Sequence, residues 1–223
     1  MNTVLPVLRL ENLDVELSKL GAFKRKILST TSVEKFDKDS ISERQRGQLR
    51  FIPKSEVVLL EGSDNLWFRS VGSNWATTFV MLPGDLVLLT AEYVAGADIV
   101  VIAHCAGVSA KGESMADCAK RETEEESGIV LEKVVPLSKG GLPVSSRKST
   151  ERVFPFIGVP MIDSEGKTVS IPTRHDECED IHPFLMSLQD YWTFLNDSRY
   201  NNSVVARDCA YSALRYLGKL SLS

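Results

Sequence analysis

The chain has 223 residues, of which 43% are hydrophobic and 25% are charged, proportions typical of globular proteins. This composition excludes a wholly disordered, a collagen-like or a coiled-coil chain. Its 26 basic and 30 acidic side chains give a formal net charge of −4, so no overall electrostatic attraction to nucleic acid or to an anionic membrane is available.

The sequence also predicts where the protein resides. No apolar run approaches the roughly 20 residues that span a bilayer, and the first residues lack the basic start of a secretory leader. The four cysteines are widely spaced and are predicted to be reduced, buried thiols. We therefore expect a cytoplasmic protein without a membrane partner.

The N-terminal part begins with a predicted helix. Leu10, Leu13, Leu17 and Leu20 recur at steps of three and four residues and are followed by Gly21, a favourable helix end. The stretch 22–50 is polar and rich in basic residues but has few aromatics, which favours a solvated connection over a nucleic-acid-binding patch.

Short β-branched and aromatic runs separated by turn residues follow this connection and predict strands. The predicted strands are Val57–Leu60, Leu66–Val71, Ala76–Leu82, Leu86–Thr90, Ile99–Ala103, Val130–Leu137, Arg152–Ile162 and Thr168–Ile171. Two C-terminal helices are predicted from helical spacing, one starting at Pro183 with Phe184, Leu188, Trp192 and Leu195 on one face, the other between Ser203 and Gly218. The order of elements indicates a mixed α/β class.

The segment 107–129 carries the strongest chemical signal. Ser114 and Gly128 are typical start and end residues of a helix, on which Glu122, Glu125 and Glu126 share one face. Like charges at these spacings repel, and negative charge near a helix C-terminus is unfavourable. The cluster is either an ordinary solvated helix end or a ligand set for a hard divalent cation such as Mg²⁺ or Mn²⁺.

The spacing of this segment resembles the Nudix box, in which a glycine, a glutamate, an arginine-glutamate pair, two further glutamates and a second glycine stand at fixed intervals. The matching positions are Gly107, Glu113, Arg121, Glu122, Thr123, Glu125, Glu126, Gly128 and Ile129. Thr123 stands where an aliphatic residue is usual, and its methyl group can still pack while its hydroxyl bonds to a helix carbonyl.

The resemblance implies an α/β/α sandwich around a mixed β-sheet and hydrolysis of a diphosphate linked to another group. It implies that Glu122, Glu125 and Glu126 ligate Mg²⁺ or Mn²⁺, that Arg121 orients these carboxylates, and that Glu113 has a supporting role. It further implies that the carbonyl of Ala106 completes the metal site.

Weaker likenesses point to the ADP-ribose and nucleoside-diphosphate-sugar pyrophosphatase branch. There the strands in Phe51–Val71 would belong to an N-terminal extension, residues 1–72, that forms a homodimer, and residues 73–223 would be the hydrolase domain. The loop from Gly140 would bind substrate through Arg147, Lys148 and Glu151, although Glu151 also fits an ordinary surface glutamate. The acidic loop 175–180 would supply the general base, Glu177 or Glu179, unless it is only a solvated loop.

Two departures from the sequence pattern of this branch leave the identity of the substrate undecided. Glu92-Tyr93-Val94 stands where the branch has Gln-Tyr-Arg, and Cys105-Ala106-Gly107 where it has Pro-Ala-Gly. The leading hypothesis is a hydrolase of a nucleoside diphosphate-sugar such as ADP-ribose. The alternatives are a hydrolase of dinucleoside polyphosphates, nucleotide cofactors or capped RNA, the last disfavoured by the net charge, and a regulatory binding module.

Overall fold

The computed structural model describes residues 4–27, 37, 39, 41–43, 54–59, 61, 66–94, 98–145, 149–174, 180–197 and 204–220. The chain forms two compact units, of which the first comprises 1–25, 74–142 and 152–223 and the second 26–73 and 143–151. The division predicted between residues 72 and 73 stays a prediction. Among the described residues, no helix is long and apolar enough to cross a membrane.

Strands and α-helices make up most of the regular structure in the described part of the chain. The strands are β1 (Val7–Leu8), β2 (Lys54–Leu59), β3 (Leu66–Val71), β4 (Trp75–Leu82), β5 (Leu86–Val94), β6 (Ile99–Ala103), β7 (Cys105–Val108), β8 (Leu131–Pro136), β9 (Leu142–Pro143), β10 (Arg152–Pro160) and β11 (His182–Ser187). The α-helices are α1 (Leu13–Leu20), α2 (Met115–Ser127), α3 (Leu188–Asn196) and α4 (Val204–Tyr216).

The first unit is built on a mixed sheet whose strands lie in the order β1, β11, β5, β4, β10, β8. The pairs β1 with β11 and β4 with β10 are parallel, whereas the other pairs along this path are antiparallel. β6 pairs with β5, and β7 pairs with β4 with Thr78 opposite Cys105. The start of the box segment is thus a strand held against the middle of the sheet.

Helices cover both faces of this sheet, because side chains alternate between faces along a strand. On β4, Phe79 packs in the large core with Tyr191 of α3 and Ala210 of α4. Ala76 of the same strand packs instead against Cys118 of α2. The predicted α/β/α arrangement around a mixed sheet is confirmed.

The second unit contains the predicted hairpin. β2 and β3 pair antiparallel, with Glu56 opposite Arg69 and Val57 opposite Phe68. Arg69 Nη2 lies 2.9 Å from Glu56 Oε2, which makes a cross-strand ion pair. Val57 and Phe68 are 59% and 66% exposed, so this cross-strand apolar pair faces solvent within the unit.

Two sequence predictions of secondary structure are wrong. The helix predicted from Pro183 begins only at Leu188, because 182–187 is a strand paired with β5. The buried side chains of this helix, α3, are Tyr191, Phe194 and Leu195, and Trp192 is not among them. The strand predicted over Thr168–Ile171 contributes only isolated bridges.

Candidate active site

Helix α2 places the box carboxylates and is defined by side-chain caps at its start. Ser114 Oγ accepts the Asp117 N–H at 3.1 Å and donates to Asp117 Oδ2 at 2.6 Å, which satisfies a backbone donor of the first turn. At the other end Gly128 has φ of 74°, and its N–H donates to Glu124 O at 2.9 Å. The predicted helix is therefore confirmed at both ends.

Arg121 is the centre of an ion-pair network. Its Nε and Nη2 donate to the two carboxylate oxygens of Glu113 at 2.8 and 3.0 Å. Its Nη1 lies 2.8 Å from Glu122 Oε1 and 2.9 Å from Glu125 Oε2. The bidentate contact holds the pKa of Glu113 below its usual value, and the surrounding carboxylates raise the pKa of Arg121.

Glu122 packs against the backbone of β7. A Cβ at position 107 would overlap the Glu122 carboxyl group, so glycine allows this carboxyl group to lie directly on the backbone of β7. The Glu122 side chain is only 14% exposed. The first box glycine thus shapes the wall on which a box carboxylate rests.

Glu126 is the buried member of the cluster, at 5% exposure. Its Oε2 accepts the Ala106 N–H at 3.3 Å. Burial and the adjacent Glu126 carboxylate raise the pKa of the Cys105 thiol, so Cys105 is a neutral neighbour. Glu126 therefore lies against the same short strand as Glu122.

Glu125 lies at the edge of the cluster, with its side chain 37% exposed. Its backbone oxygen accepts the Arg174 N–H at 2.8 Å, which ties the end of 152–174 to the box helix. Arg121 and Glu125 line a hollow of about 370 Å³ together with Asp117, Lys120, Glu124 and Arg174. The side chain of Glu124 thus belongs to a different surface of the helix from that of Glu126.

Thr123 is the one residue that departs from the pattern of the box, and its surroundings account for the change. It is fully buried, and its Oγ1 donates to Ala119 O at 2.8 Å. The hydroxyl is satisfied within the helix while the methyl group fills an aliphatic position, so the substitution leaves the carboxylate face unchanged.

The comparisons with known proteins agree with this geometry. The model of the NUDIX domain matches residues 73–206, which is more than half of the chain. The chain belongs to the Nudix family. It is a pyrophosphohydrolase that acts on diphosphate bonds, as the enzymes of this family are.

Solved structures share the fold of this Nudix chain. One is the crystal structure of an ADP compounds hydrolase, with 18% sequence identity, a TM-score of 0.58, and coverage of 88% of this chain and all of that one. No curated protein matches the sequence.

Nudix hydrolases generally use divalent metals, and the donor chemistry of this one fits such a cation. Glu122, Glu125 and Glu126 offer hard carboxylate oxygens, and Gly107 leaves the space in which Glu122 rests. In the described part of the chain no three acidic, histidine or cysteine side chains converge as a preformed metal site, and Arg121 pairs with two of the three carboxylates.

Other residues predicted for the site of this Nudix hydrolase have different placements. Arg147, Lys148, Glu177 and Glu179 lie outside the described residues. Glu151 belongs to the second unit, where its side chain rests against Gly72. The roles of these five residues stay predictions.

Two residues beside the box of this enzyme are not among those predicted from the sequence. Arg174 lines the hollow next to Glu125, and His104 is buried immediately before β7. For His104 a signal existed, since a polar residue directly precedes a predicted site segment. For Arg174 the sequence shows only a basic residue at the start of an acidic loop.

Proposed function

We propose that this chain is a divalent-metal-dependent hydrolase of nucleoside diphosphate-sugars such as ADP-ribose, releasing a nucleoside monophosphate and a sugar phosphate. One observation carries the proposal: the last turns of α2 hold Glu122 and Glu125 on Arg121, and hold Glu122 and Glu126 against the backbone of β7. The name of the ADP compounds hydrolase that shares the fold supports a substrate of this class.

Each box residue then has a defined task. Glu122, Glu125 and Glu126 hold Mg²⁺ or Mn²⁺, with the Ala106 carbonyl as a further oxygen donor, and Arg121 orients the carboxylates while Glu113 holds Arg121. When bound, such a cation neutralises diphosphate charge and lowers the pKa of water. The burial of Glu126 keeps this carboxylate fixed in one orientation.

The reaction requires a base. A water oxygen forms a bond to one phosphorus, the bond from that phosphorus to the bridging oxygen breaks, and the bridging oxygen leaves with the other phosphate. The proton lost by the water passes to a carboxylate, for which we propose Glu177, with Glu179 as the alternative. We expect a comparison of kcat at saturating substrate to identify the base, using Glu177→Gln and Glu179→Gln. The base is the glutamate whose substitution lowers kcat by about 100-fold or more.

Substrate binding is proposed for the loop that carries Arg147, Lys148 and Glu151. Two cations next to each other suit a diphosphate. The double substitution Arg147→Ala/Lys148→Ala is expected to raise KM more than it lowers kcat. Lys167→Ala, which removes an exposed lysine from another loop, is the matched control, and an unchanged KM in the double variant would remove the loop from the site.

The experiment that tests the proposed function is a turnover screen with Mg²⁺ and with Mn²⁺. The substrates are nucleotide sugars, dinucleoside polyphosphates, nucleotide cofactors, nucleoside triphosphates and capped RNA, with products separated by chromatography. The proposal expects the highest kcat/KM on a nucleotide sugar. Preference for another class overturns the proposed substrate, and no turnover with either metal supports a binding module instead.

We also propose that the protein is a homodimer formed through β2 and β3. The exposed pair Val57 and Phe68 offers an apolar surface, and a two-stranded sheet leaves edges that a second copy can cover.

A further inference from the structure

A buried polar pair lies directly behind the box strand. His104, between β6 and β7, is 1% exposed, and its Nε2 is 2.7 Å from the hydroxyl oxygen of Tyr191 on α3. Tyr191 is also 1% exposed. The His104 ring is edge-on to Phe79, with centroids 5.3 Å apart. An imidazole and a phenol thus meet inside an otherwise apolar core.

This pair lies on the face of the sheet opposite the box carboxylates. Phe79 and Tyr191 belong to the large core beneath α3 and α4. Cys105, the next residue, belongs to a separate core with Val80 and Leu88 and is adjacent to Glu126. His104 therefore does not reach the carboxylates itself, and any effect on them passes through the backbone of β7.

The backbone route from His104 to Glu126 is short. Ala106, two residues after His104, donates its N–H to Glu126 Oε2. The distance is 3.3 Å, and because the donor belongs to the backbone of β7, a displacement of this strand relative to α2 changes the contact. The placement of β7 therefore controls a contact of the buried carboxylate.

Burying an imidazole and a hydroxyl costs free energy that an apolar pair of similar shape avoids. Among the described residues, His104 Nδ1 has no hydrogen-bond partner. Burial lowers the pKa of His104 to about 3, so the ring is neutral at ordinary pH. The hydrogen bond instead fixes the orientation of the His104 ring relative to Tyr191.

We propose that the hydrogen bond between His104 and Tyr191 positions β7, and thereby holds the Ala106 N–H against Glu126 in the metal-binding arrangement. His104 and Tyr191 are positioning residues, and the inference rests on the proposed function for the part that concerns the metal. The pair connects α3 to the box strand through a contact that no box residue supplies.

The test compares Tyr191→Phe with Tyr211→Phe. The Tyr211 hydroxyl donates to Asn196 Oδ1 at 2.9 Å, so each variant loses one phenolic hydroxyl and its hydrogen bond, but only Tyr191 contacts His104. Tyr191→Phe is expected to raise the Kd for Mn²⁺, measured from free Mn²⁺ by EPR without substrate, by about tenfold or more. The kcat of Tyr191→Phe is expected to fall by a similar factor, while its KM changes by less than about twofold. Tyr211→Phe is expected to leave the Kd for Mn²⁺, kcat and KM at their parental values.

Amide hydrogen exchange over residues 104–108, measured without metal, gives an independent readout. Exchange is expected to be faster in Tyr191→Phe than in the parent or in Tyr211→Phe, because β7 then keeps its pairing with β4 but loses the side-chain contact that precedes it. Unchanged exchange, or a parental Kd for Mn²⁺ in Tyr191→Phe, overturns the proposal. If the parent neither binds Mn²⁺ nor hydrolyses a diphosphate while exchange still responds, the proposed function fails and the anchoring of β7 stands.

A double variant separates positioning from stability. His104→Phe/Tyr191→Phe removes both polar partners together, so its Tm is expected to recover towards the parental value. Its affinity for Mn²⁺ is expected to stay low, because the side-chain hydrogen bond that orients β7 on β4 is missing. Recovery of the Mn²⁺ affinity together with the Tm would show that the pair serves packing alone.

Discussion

Glu126 is the residue on which the metal assignment depends most directly. It is nearly inaccessible and accepts the Ala106 N–H. Glu126→Gln keeps the shape of the side chain but removes its charge. Since charge neutralisation supplies much of the barrier reduction, kcat is expected to fall by about 100-fold or more, which corresponds to about 2.7 kcal/mol. Steady-state kinetics at saturating metal measure this change.

Glu124 provides the matched control on the same helix. It lines the hollow beside Asp117 and Lys120, and not the wall formed by β7. Glu124→Gln is expected to alter kcat by less than about twofold, because the Glu124 side chain shares the hollow with Glu125 but points away from Glu122 and Glu126 on the helix. Equal effects of the two substitutions would mean that the box is only a charged helix.

Glu113 makes a pH-dependent contribution to stability through its bidentate contact with Arg121. The folded-state pKa of Glu113 lies below the ordinary 4.5. Its contribution is therefore complete above the unfolded-state value and is lost as the pH falls through the folded-state value. Glu113→Gln is expected to lower the free energy of unfolding by about 1 to 2 kcal/mol at pH 7.

Urea unfolding at neutral and at acidic pH checks this expectation. The difference in the free energy of unfolding between the parent and Glu113→Gln should narrow as the pH falls below the ordinary glutamate pKa. The reason is that protonation of the parental carboxyl group then removes the charge that the variant lacks at every pH. Glu165→Gln is the control, because Glu165 pairs with Lys167 in an exposed turn and such pairs contribute little. A difference that stays constant with pH contradicts the assigned role of the contact.

At the scale of elements, the hairpin of β2 and β3 carries the dimer proposal. Phe68→Ser removes the larger member of the exposed apolar pair and is expected to shift the protein from dimer towards monomer in light scattering at micromolar concentration. Tyr216→Ser, at the end of α4, removes another exposed aromatic side chain and should leave the mass unchanged. A monomeric parent would refute the proposal directly.

Elements with local signals were predictable from sequence, whereas elements fixed by distant partners were not. Helix α2 carries its own cap and end residues, and the hairpin strands alternate over a short distance. β7 has only four residues and exists because β4 pairs with it. β11 is a short, largely buried apolar run, which periodicity cannot distinguish from a helix. Pro183 therefore resembles a helix start in the sequence, although it pairs with Thr90 of β5.

At the scale of the whole molecule, metal binding is expected to stabilise the fold. A ligand that binds only the native state raises the free energy of unfolding in proportion to the logarithm of its concentration over Kd. Mn²⁺ is therefore expected to raise the Tm of the parent and to raise that of Glu126→Gln less. Thermal denaturation over a series of Mn²⁺ concentrations measures both, and equal shifts would place the cation elsewhere.

Some residues of the candidate site were predictable from the sequence, whereas others come together only when the chain folds. The carboxylates and Arg121 were predictable because they lie within three turns of one helix. The contact of His104 with Tyr191 joins residues 87 positions apart, and no spacing rule relates them. Their meeting depends on β6, β7 and α3 packing together, which sequence periodicity does not specify.

The parallel pairing of β1 with β11 has a consequence for the order of folding. Val7 pairs with Leu185, and β4 in the centre of the sheet pairs in parallel with the distant β10. Closing such long loops is slow because their entropy must be lost before the contacts form. During synthesis the N-terminal strands emerge first, so β1 and β4 wait for partners made much later. The nascent chain thus carries open strand edges until β10 and β11 have left the ribosome, and this interval is when we expect it to be most prone to aggregate.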